Sequence, residues 1–397
     1  MSYTKFHCNI KIEHNTLNLD INDYVELALR NNKKRRFLFV SKNLGKHIPV
    51  EPKKVDRIGQ LLAEAYKLKY SNYSKEKQFV IGFAETATCL AHSFFNYLES
   101  AQNFVHTTRE VMDLERLECE EEHSHATEQM LYKEALDKNI ESSDTIILVD
   151  DEITTANTCI NMIKKLKGQY NIDKFVIASL LNWIDSSRLE QIMKTADELN
   201  CKIEFVYLFN GSFEFEFDEK NELRDLIQDI NEERKADIEI NNIKLDFKEY
   251  CHQKKYLKYT GRFGIDREDQ EKLKSIIQKQ GQKLNDKERD YKVLALGAEE
   301  FMYIPMMLSK EINGQVYYHS ITRSPIIPIK EENYPIKSKY KFTSFNNSNV
   351  TYLYNLDVNN YKECFLFIET YTEKKKIDDF IETIKSLGIK KINIVSF

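Results

Sequence analysis

Residues 146–158 read IILVDDEITTANT, and this stretch decides the fold. Its four leading apolar residues are typical of a buried parallel strand, and ligands of open α/β sheets bind at the carboxyl ends of such strands. Asp150 and Asp151 follow, where carboxylates can reach sugar hydroxyls or a metal-bound sugar. The turn from Thr154 to Thr158 offers hydroxyls and free backbone N–H groups at a helix N-terminus, which suit a phosphate. The stretch therefore predicts a site for a ribose 5-phosphate.

Strand patterns alternate with helical patterns on both sides of this stretch. We predict earlier strands at residues 78–82 and 103–108, and later strands at residues 174–181 and 203–209. Such alternation predicts an α/β fold with a doubly wound, Rossmann-like parallel sheet.

The length of 397 residues favours two domains. We predict a first domain over residues 1–217 and a polar, charged linker of largely helical pattern over residues 218–282. A smaller α/β domain follows over residues 283–397. Its predicted strands lie at residues 293–297, 316–320, 364–368 and 391–397.

The two α/β parts share a spacing. Gly82 precedes Arg109 by 27 residues, and Gly297 precedes Arg323 by 26. The acid that ends the next predicted strand lies 42 residues after the first arginine and 46 after the second. Two interpretations stay open: the second domain is a diverged duplicate that lost the double acid and the Thr-rich turn, or two unrelated domains share a generic spacing. A different strand order would exclude duplication.

The composition excludes several classes of protein. With 42% apolar and 30% charged residues the chain reads as globular, and no apolar run reaches the roughly 18 residues of a membrane span. The N-terminus lacks the layout of a signal peptide, and the net charge of −5 gives no reason to expect nucleic acid. Seven scattered cysteines without a C-x-x-C pair argue against structural zinc or a disulfide framework. We expect a cytoplasmic protein without nucleic-acid or membrane partners.

Residues 146–158 resemble the signature of type I phosphoribosyltransferases, which bind phosphoribosyl pyrophosphate (PRPP). Further segments resemble one subfamily, the orotate phosphoribosyltransferase-like proteins of bacterial tellurite-resistance and stress gene clusters, whose C-terminal domain is named for a Thr-Arg-Ser-Pro motif. These segments are FLFVSKNLGKHIPVEP (37–52), GFAETAT (82–88), HTTRE (106–110), EEHSHAT (121–127) and ITRSP (321–325). The resemblance implies an enzyme that transfers 5-phosphoribose between PRPP and a nucleobase-like acceptor.

The resemblance also implies roles for matching residues. Asp150 and Asp151 would hold the ribose hydroxyls of PRPP, and Arg109 would meet the pyrophosphate. Residues 121–127 would form a mobile lid, with His123 and His125 available for proton transfer or pyrophosphate contact. The remaining implied contacts are Thr154, Thr155, Ala156, Asn157 and Thr158 for the 5′-phosphate; Gly82, Phe83, Ala84, Glu85 and Thr86 for the pyrophosphate; and Ser41, Lys42, Gly45, Lys46 and His47 in a hood over the base.

Candidates for a second site lie in the C-terminal domain: Gly297, Thr322, Arg323 and Ser324. Arg323 either binds an anion or forms a structural ion pair across the domain interface. Similarly, residues 261–264 either bind phosphate or form a tight turn at an interface.

The resemblance implies Mg²⁺ as cofactor, held mainly by PRPP, with Asp150 and Asp151 as candidate ligands. It also implies a nucleoside-type stress pathway and, as in orotate-type relatives, a homodimer. One position departs from the family pattern: Ala156 stands where the phosphate loop usually has Gly, and its methyl group disfavours a positive φ. The alternative function is therefore a PRPP- or nucleotide-binding regulatory protein with weak turnover.

Overall fold

The computed structural model describes residues 2–3, 6–32, 35–119, 129–137, 139–217, 237–252, 255–285, 288–370 and 372–397. The first strands are β1 (Ser2–Tyr3), β2 (Phe6–Asn15), β3 (Val25–Leu29), β4 (Phe37–Ser41), β5 (Gln78–Gly82), β6 (Ala101–His106), β7 (Arg116–Cys119), β8 (Gln129–Tyr132), β9 (Thr145–Ile153), β10 (Lys174–Asn182) and β11 (Lys202–Phe217). The helices among them are α1 (Pro52–Lys69), α2 (Ala87–Tyr97), α3 (Asn157–Lys167) and α4 (Ser186–Glu198).

The later strands are β12 (Glu239–Lys244), β13 (Tyr250–Cys251), β14 (Tyr256–Leu257), β15 (Ile265–Asp266), β16 (Lys292–Gly297), β17 (Gln315–Ser320), β18 (Lys339–Thr343), β19 (Val350–Tyr354), β20 (Glu363–Phe367) and β21 (Lys391–Ser396). The later helices are α5 (Arg267–Gly281), α6 (Tyr303–Ser309) and α7 (Lys374–Ser386). No helix within the described part of the chain combines the length and apolarity that crossing a membrane requires.

The first sheet has eight strands in the order β1-β2-β11-β10-β9-β5-β6-β15. Its five central strands, from β11 to β6, are parallel. Residues of α1 and α2 pack on one face of these strands, and residues of α3 and α4 pack on the other. The predicted doubly wound α/β fold is confirmed. It follows from strands that are apolar on both faces, such as the first five residues of β9, all of which are buried.

The second sheet has five parallel strands in the order β12-β21-β20-β16-β17. Residues of α6 contribute to the apolar cluster on one face, and residues of α7 to the cluster on the other. The second α/β domain is thus also confirmed.

The two sheets share their strand order. Taken in chain order, the core strands β5, β6, β9 and β10 lie side by side as β10-β9-β5-β6, and β16, β17, β20 and β21 lie as β21-β20-β16-β17. In each domain an antiparallel hairpin, β7–β8 or β18–β19, is inserted between the second and third of these strands. A different order would have excluded duplication, and the observed order agrees with it.

The segment predicted to be a largely helical linker differs from that prediction. Within its described residues, β12 pairs with β21 of the second sheet, and β15 pairs with β6 of the first. Among the described residues of this segment, α-helix is present from Arg267 onward. Both strands lie at sheet edges, where polar residues are common and the apolar alternation that marks a strand is weak.

Candidate functional site

The acid pair lies on the central strand of the first sheet. β9 pairs with β5 only as far as Val149 but pairs with β10 as far as Ile153. The sequence suggested that the strand ends at the acid pair, but β9 continues to Ile153. Instead, Asp150 and Asp151 extend beyond the end of β5 and lie beside the loop that follows it, whose Phe83 N–H donates to the Val149 carbonyl at 3.1 Å.

The side chains of Asp150 and Asp151 are partly buried, and each affects the pKa of the other. Asp150 Oδ1 accepts a hydrogen bond from the Asp151 backbone N–H at 2.9 Å. Burial, reinforced by the charge of Asp151, raises the pKa of Asp150 well above its usual range. Burial also raises the pKa of Asp151, although Lys46 and Arg35 lower it. Two adjacent acids that are costly to ionise are typical of a binding or catalytic site.

The turn after β9 holds an unusual backbone. Ala156 directly precedes α3 and has a φ of 56° and a ψ of 17°, in the left-handed region. The conformation that the family pattern assigns to glycine is therefore kept despite the methyl group, at a cost of about 1–2 kcal/mol. Backbone strain beside two perturbed carboxylates indicates a functional constraint. Of the neighbouring side chains Thr155 is exposed, and Thr154, Asn157 and Thr158 are partly exposed.

Arg188, which the sequence analysis missed, fixes this turn. It lies in the first turn of α4, where its Nε donates to the Thr155 carbonyl at 2.7 Å and its Nη2 to Asn157 Oδ1 at 2.5 Å. The side chain of Asp185 caps the same helix turn by accepting from the Arg188 N–H at 2.8 Å. The available signal was its place just after β10, because the carboxyl end of β10 lies beside that of β9.

The loop of residues 82–86, assigned to pyrophosphate by resemblance, is tightly packed. A Cβ on Gly82 would lie 2.5 Å from the Ala91 Cβ of α2, so close helix packing by itself requires a glycine here. The Ala84 N–H donates to Thr107 Oγ1 at 2.7 Å, and the Ala84 carbonyl accepts from Gln129 Nε2 at 2.5 Å. The peptide between Ala84 and Glu85 is cis.

Two cations meet Glu85 at this loop. Lys46 Nζ lies 2.6 Å from Glu85 Oε1, with the two side chains only 2% and 7% exposed. Arg109 Nη1 lies 3.6 Å from Glu85 Oε2. Burial lowers the pKa of Lys46, although Glu85 raises it. Lys46, which the resemblance places in the hood, thus lies against the loop of residues 82–86.

The other hood residues are spread apart. Lys42 forms an ion pair with Glu26, with 3.0 Å between Lys42 Nζ and Glu26 Oε1. Ser41 is the last residue of β4. Gly45 and His47 are buried, and Gly45 packs against Tyr318 of the second domain. The implied lid, with His123 and His125, lies outside the described residues.

A buried aromatic pair, missed in the sequence, lies near the end of β9, where the Trp183 N–H donates to the Ile153 carbonyl at 2.8 Å. Trp183, the single tryptophan of the chain, follows β10 and stacks on Phe39 of β4 with ring centroids 5.0 Å apart. Its Nε1 is buried without a hydrogen-bond partner among the described residues. Arg35, just before β4, forms an ion pair with Glu152 of β9. The signal for Trp183 was its position directly after an apolar strand.

The second-domain candidates meet at the carboxyl edge of the second sheet. Arg323 Nε donates to Glu299 Oε2 at 2.9 Å, so this ion pair lies within the domain and does not cross the interface. Thr322 Oγ1 accepts from the Ser324 N–H at 3.1 Å, and a Cβ on Gly297 would lie 2.6 Å from the Phe301 carbonyl. Across the described residues, no three or more His, Cys, Asp or Glu side chains are grouped to hold a metal ion.

Comparison with known proteins gives two family matches. Residues 24–212 match a family described as phosphoribosyl transferase, and residues 259–384 match the TRSP domain, described as C-terminal to it. No curated protein matches the sequence.

Several solved structures show distant similarity. Adenine phosphoribosyltransferase from Rhodothermus marinus is 15% identical over 47% of this chain and 94% of its own, with a TM-score of 0.32. The enzyme from Giardia lamblia, complexed with 9-deazaadenine, is 14% identical over 46% and 92%, with a TM-score of 0.33. A hypoxanthine phosphoribosyltransferase from Staphylococcus aureus is 13% identical over 37% and 71%, with a TM-score of 0.24. The domain assignments rest on the two family matches.

Proposed function

Because residues 24–212 form a phosphoribosyl transferase domain, which makes the chain an enzyme of the pentosyltransferase class, we propose that it transfers 5-phosphoribose between PRPP and a nucleobase-like acceptor. Membership of the orotate-type subfamily, a cytoplasmic location and a role in a tellurite or stress pathway belong to this proposal.

The observation that carries the proposal is the unit formed by β9, its turn and α3. Asp150 and Asp151 lie at one end of the turn, and the strained Ala156 with the N-terminus of α3 lies at the other. Carboxylates bind a vicinal diol, and a helix N-terminus binds a phosphate. One ribose 5-phosphate presents both groups, so a single ligand satisfies the whole unit.

The acid pair also fits Mg²⁺, which prefers oxygen ligands and keeps several waters. Asp150 and Asp151 would hold the ion together with PRPP oxygens. Burial raises the pKa of both carboxyl groups, and a bound cation would offset this cost of ionisation. When bound, the ion neutralises charge on the pyrophosphate.

The chain's own residues position the reactants. The acid pair orients the ribose while its C1′–O bond to pyrophosphate breaks and a C1′–N bond to the acceptor forms. Lys46 and Arg109 place positive charge beside the pyrophosphate loop, and Glu85 neutralises only part of it.

Pyrophosphate release tests the proposal. The protein is incubated with Mg²⁺, PRPP and a panel of purine and pyrimidine bases, beside the Asp150→Asn, Asp151→Asn double variant. We expect one class of base to release pyrophosphate with the wild-type protein and none with the double variant. Binding of PRPP without release from any base would support the regulatory alternative, and release by both proteins would contradict the assigned site.

A further inference from the structure

The two domains exchange matching contacts. The Gly45 carbonyl accepts from the backbone N–H of Ser320, the last residue of β17, at 2.6 Å. The Gly261 carbonyl accepts from the N–H of His106, the last residue of β6, at 3.1 Å. β6 and β17 are equivalent in the shared strand order, and both glycines have a positive φ, of 64° and 91°. Such reciprocity is the mark of a twofold interface, in which the same patch on each unit meets the other.

The charged groups obey the same correspondence. Glu85 and Glu300 each stand three residues after the glycine that ends the first core strand of their domain. Gly82 pairs with Val149, two residues before Asp151. Gly297 pairs with Phe367, two residues before Glu369. A basic residue follows each exchanged glycine: Lys46 in the first case and Arg262 in the second. The working site of the first domain therefore has a counterpart in the second.

That counterpart is closed by the protein itself. Arg262 Nη1 lies 3.1 and 2.9 Å from the two oxygens of Glu369, and Arg262 Nη2 lies 3.6 Å from Glu300 Oε2. Arg262 is 2% exposed, so its guanidinium fills the place between the two acids. In addition, the position equivalent to Asp150 is the apolar Ile368. The second cleft lacks the acid pair, and Arg262 occupies the place between Glu300 and Glu369.

Glu300 reaches from the second domain into the first. Its Oε1 accepts from the Arg109 backbone N–H, and its Oε2 accepts from Thr108 Oγ1, both at 2.7 Å. Burial raises the pKa of Glu300, but Arg262, His106 and these two hydrogen bonds outweigh it, so the pKa is lowered. An ionised, buried carboxylate forms strong charge-assisted hydrogen bonds. These bonds fix the segment from which the Arg109 side chain extends to Glu85.

We propose that the C-terminal domain acts as a built-in partner subunit: Arg262 closes its own cleft, and its Glu300 is a positioning residue for Arg109 in the single working site. The inference rests on the proposed function. One chain then binds one PRPP, and the site is complete without a second copy of the chain.

Separate titrations of the two halves of PRPP test this role. Inorganic pyrophosphate with Mg²⁺, and ribose 5-phosphate alone, are titrated calorimetrically into wild-type protein and into Glu300→Gln. The matched control is Asp56→Asn, because the buried Asp56 of the first domain accepts from Lys310 Nζ of the second at 2.7 Å, on α1 rather than at the sheet edge. Thr108→Val, a substitution in the first domain, removes the hydrogen bond that Thr108 Oγ1 donates to Glu300.

We expect Glu300→Gln to weaken pyrophosphate binding about tenfold, the effect of one lost charge-assisted hydrogen bond, and to leave ribose 5-phosphate binding within about twofold. Thr108→Val should shift pyrophosphate binding in the same direction by a smaller factor. Asp56→Asn should change neither affinity, although it lowers the melting temperature.

Three results would overturn the inference: equal weakening of both ligands by Glu300→Gln, unchanged pyrophosphate binding in Glu300→Gln and Thr108→Val, or two ribose 5-phosphate molecules bound per chain. If Glu300→Gln does not fold, Thr108→Val alone decides between these outcomes. Wild-type protein that binds neither ligand would overturn the proposed function and the inference with it. Binding of ribose 5-phosphate without the Glu300 effect would overturn the inference alone.

Discussion

Ala156 carries backbone strain in the turn between β9 and α3. A left-handed φ of 56° costs an L-residue about 1–2 kcal/mol, and glycine adopts it freely. We expect Ala156→Gly to raise the free energy of unfolding by about 0.5 kcal/mol, because relief of strain exceeds the loss of one buried methyl group. Urea unfolding measures the change, and ribose 5-phosphate affinity should stay within about twofold. A destabilised variant would contradict the strain argument.

Asp150 should make the ligand-free protein pH-sensitive. Its pKa is raised in the folded state by burial and by Asp151, so folding disfavours its ionised form. Its contribution to stability is therefore complete below the unfolded pKa of about 4 and is lost as the pH rises through the folded pKa.

The corresponding prediction concerns Asp150→Asn. At pH 7 the variant should be more stable than wild type by about 1 kcal/mol. The gain should vanish near pH 3.5, where Asp150 is largely protonated in both the folded and the unfolded state. Thermal unfolding at the two pH values measures this. A variant that is less stable at pH 7 would show that the acid pair is structural.

Some residue roles were beyond sequence reasoning. Asp150 and Asp151 could be chosen because four apolar residues precede them and a Thr-rich turn follows. The ion pair of Lys46 with Glu85 could not be read from the sequence, because the course of this segment depends on contacts of Gly45 and Val50 with Tyr318, far away in the sequence. Arg188 and Trp183 were missed for the same reason, because each belongs to a neighbouring strand or helix.

At the level of elements, the turn between β9 and α3 depends on α4 as well as α3. Arg188 of α4 holds the Thr155 carbonyl and the Asn157 side chain. We expect Arg188→Ala to weaken ribose 5-phosphate binding about tenfold, because the turn loses its pre-organised geometry. Fluorescence of Trp183 or calorimetry measures the affinity.

Arg57→Ala is the matched control, since Arg57 forms an exposed ion pair with Glu64 on α1. It should leave ribose 5-phosphate binding unchanged. Equal effects of the two substitutions would show that Arg188 plays no part in the turn.

Element prediction succeeded where strands were buried and failed at sheet edges. β9 and β16 read as continuous apolar runs, and the sequence placed both within a few residues. β12, with the sequence EINNIK, is exposed along most of its length, so a helical pattern was wrongly preferred there. Its strand conformation depends on pairing with β21, which lies about 150 residues away.

For the whole molecule, the two domains should unfold together. One apolar cluster combines Leu27 and Leu29 of the first domain with Ile326, Ile327 and Tyr334 of the second. Backbone pairings also join the domains, between Val50 and Tyr318 and between Phe104 and Ile265. We expect a single calorimetric transition, with equal calorimetric and van't Hoff enthalpies. Two separated transitions would contradict the picture of a joined pair.

For the whole molecule, the sequence raised the possibility of duplication, because Gly82 and Arg109 have nearly the same spacing as Gly297 and Arg323. The shared strand order agrees with duplication. The closure of the second cleft was not predictable, because Arg262 lies outside both repeats of that spacing. It reaches Glu369 only once the chain has crossed between the domains.

The most direct test of the central claim is calorimetric titration of Mg²⁺–PRPP into wild-type protein and into the Asp150→Asn, Asp151→Asn double variant. Two lost hydrogen-bonding carboxylates should remove about 3 kcal/mol of binding free energy. We therefore predict one PRPP per wild-type chain and about hundredfold weaker binding by the variant. Equal binding by the two proteins, or no binding by the wild type, would contradict the assignment of a phosphoribosyl transfer site.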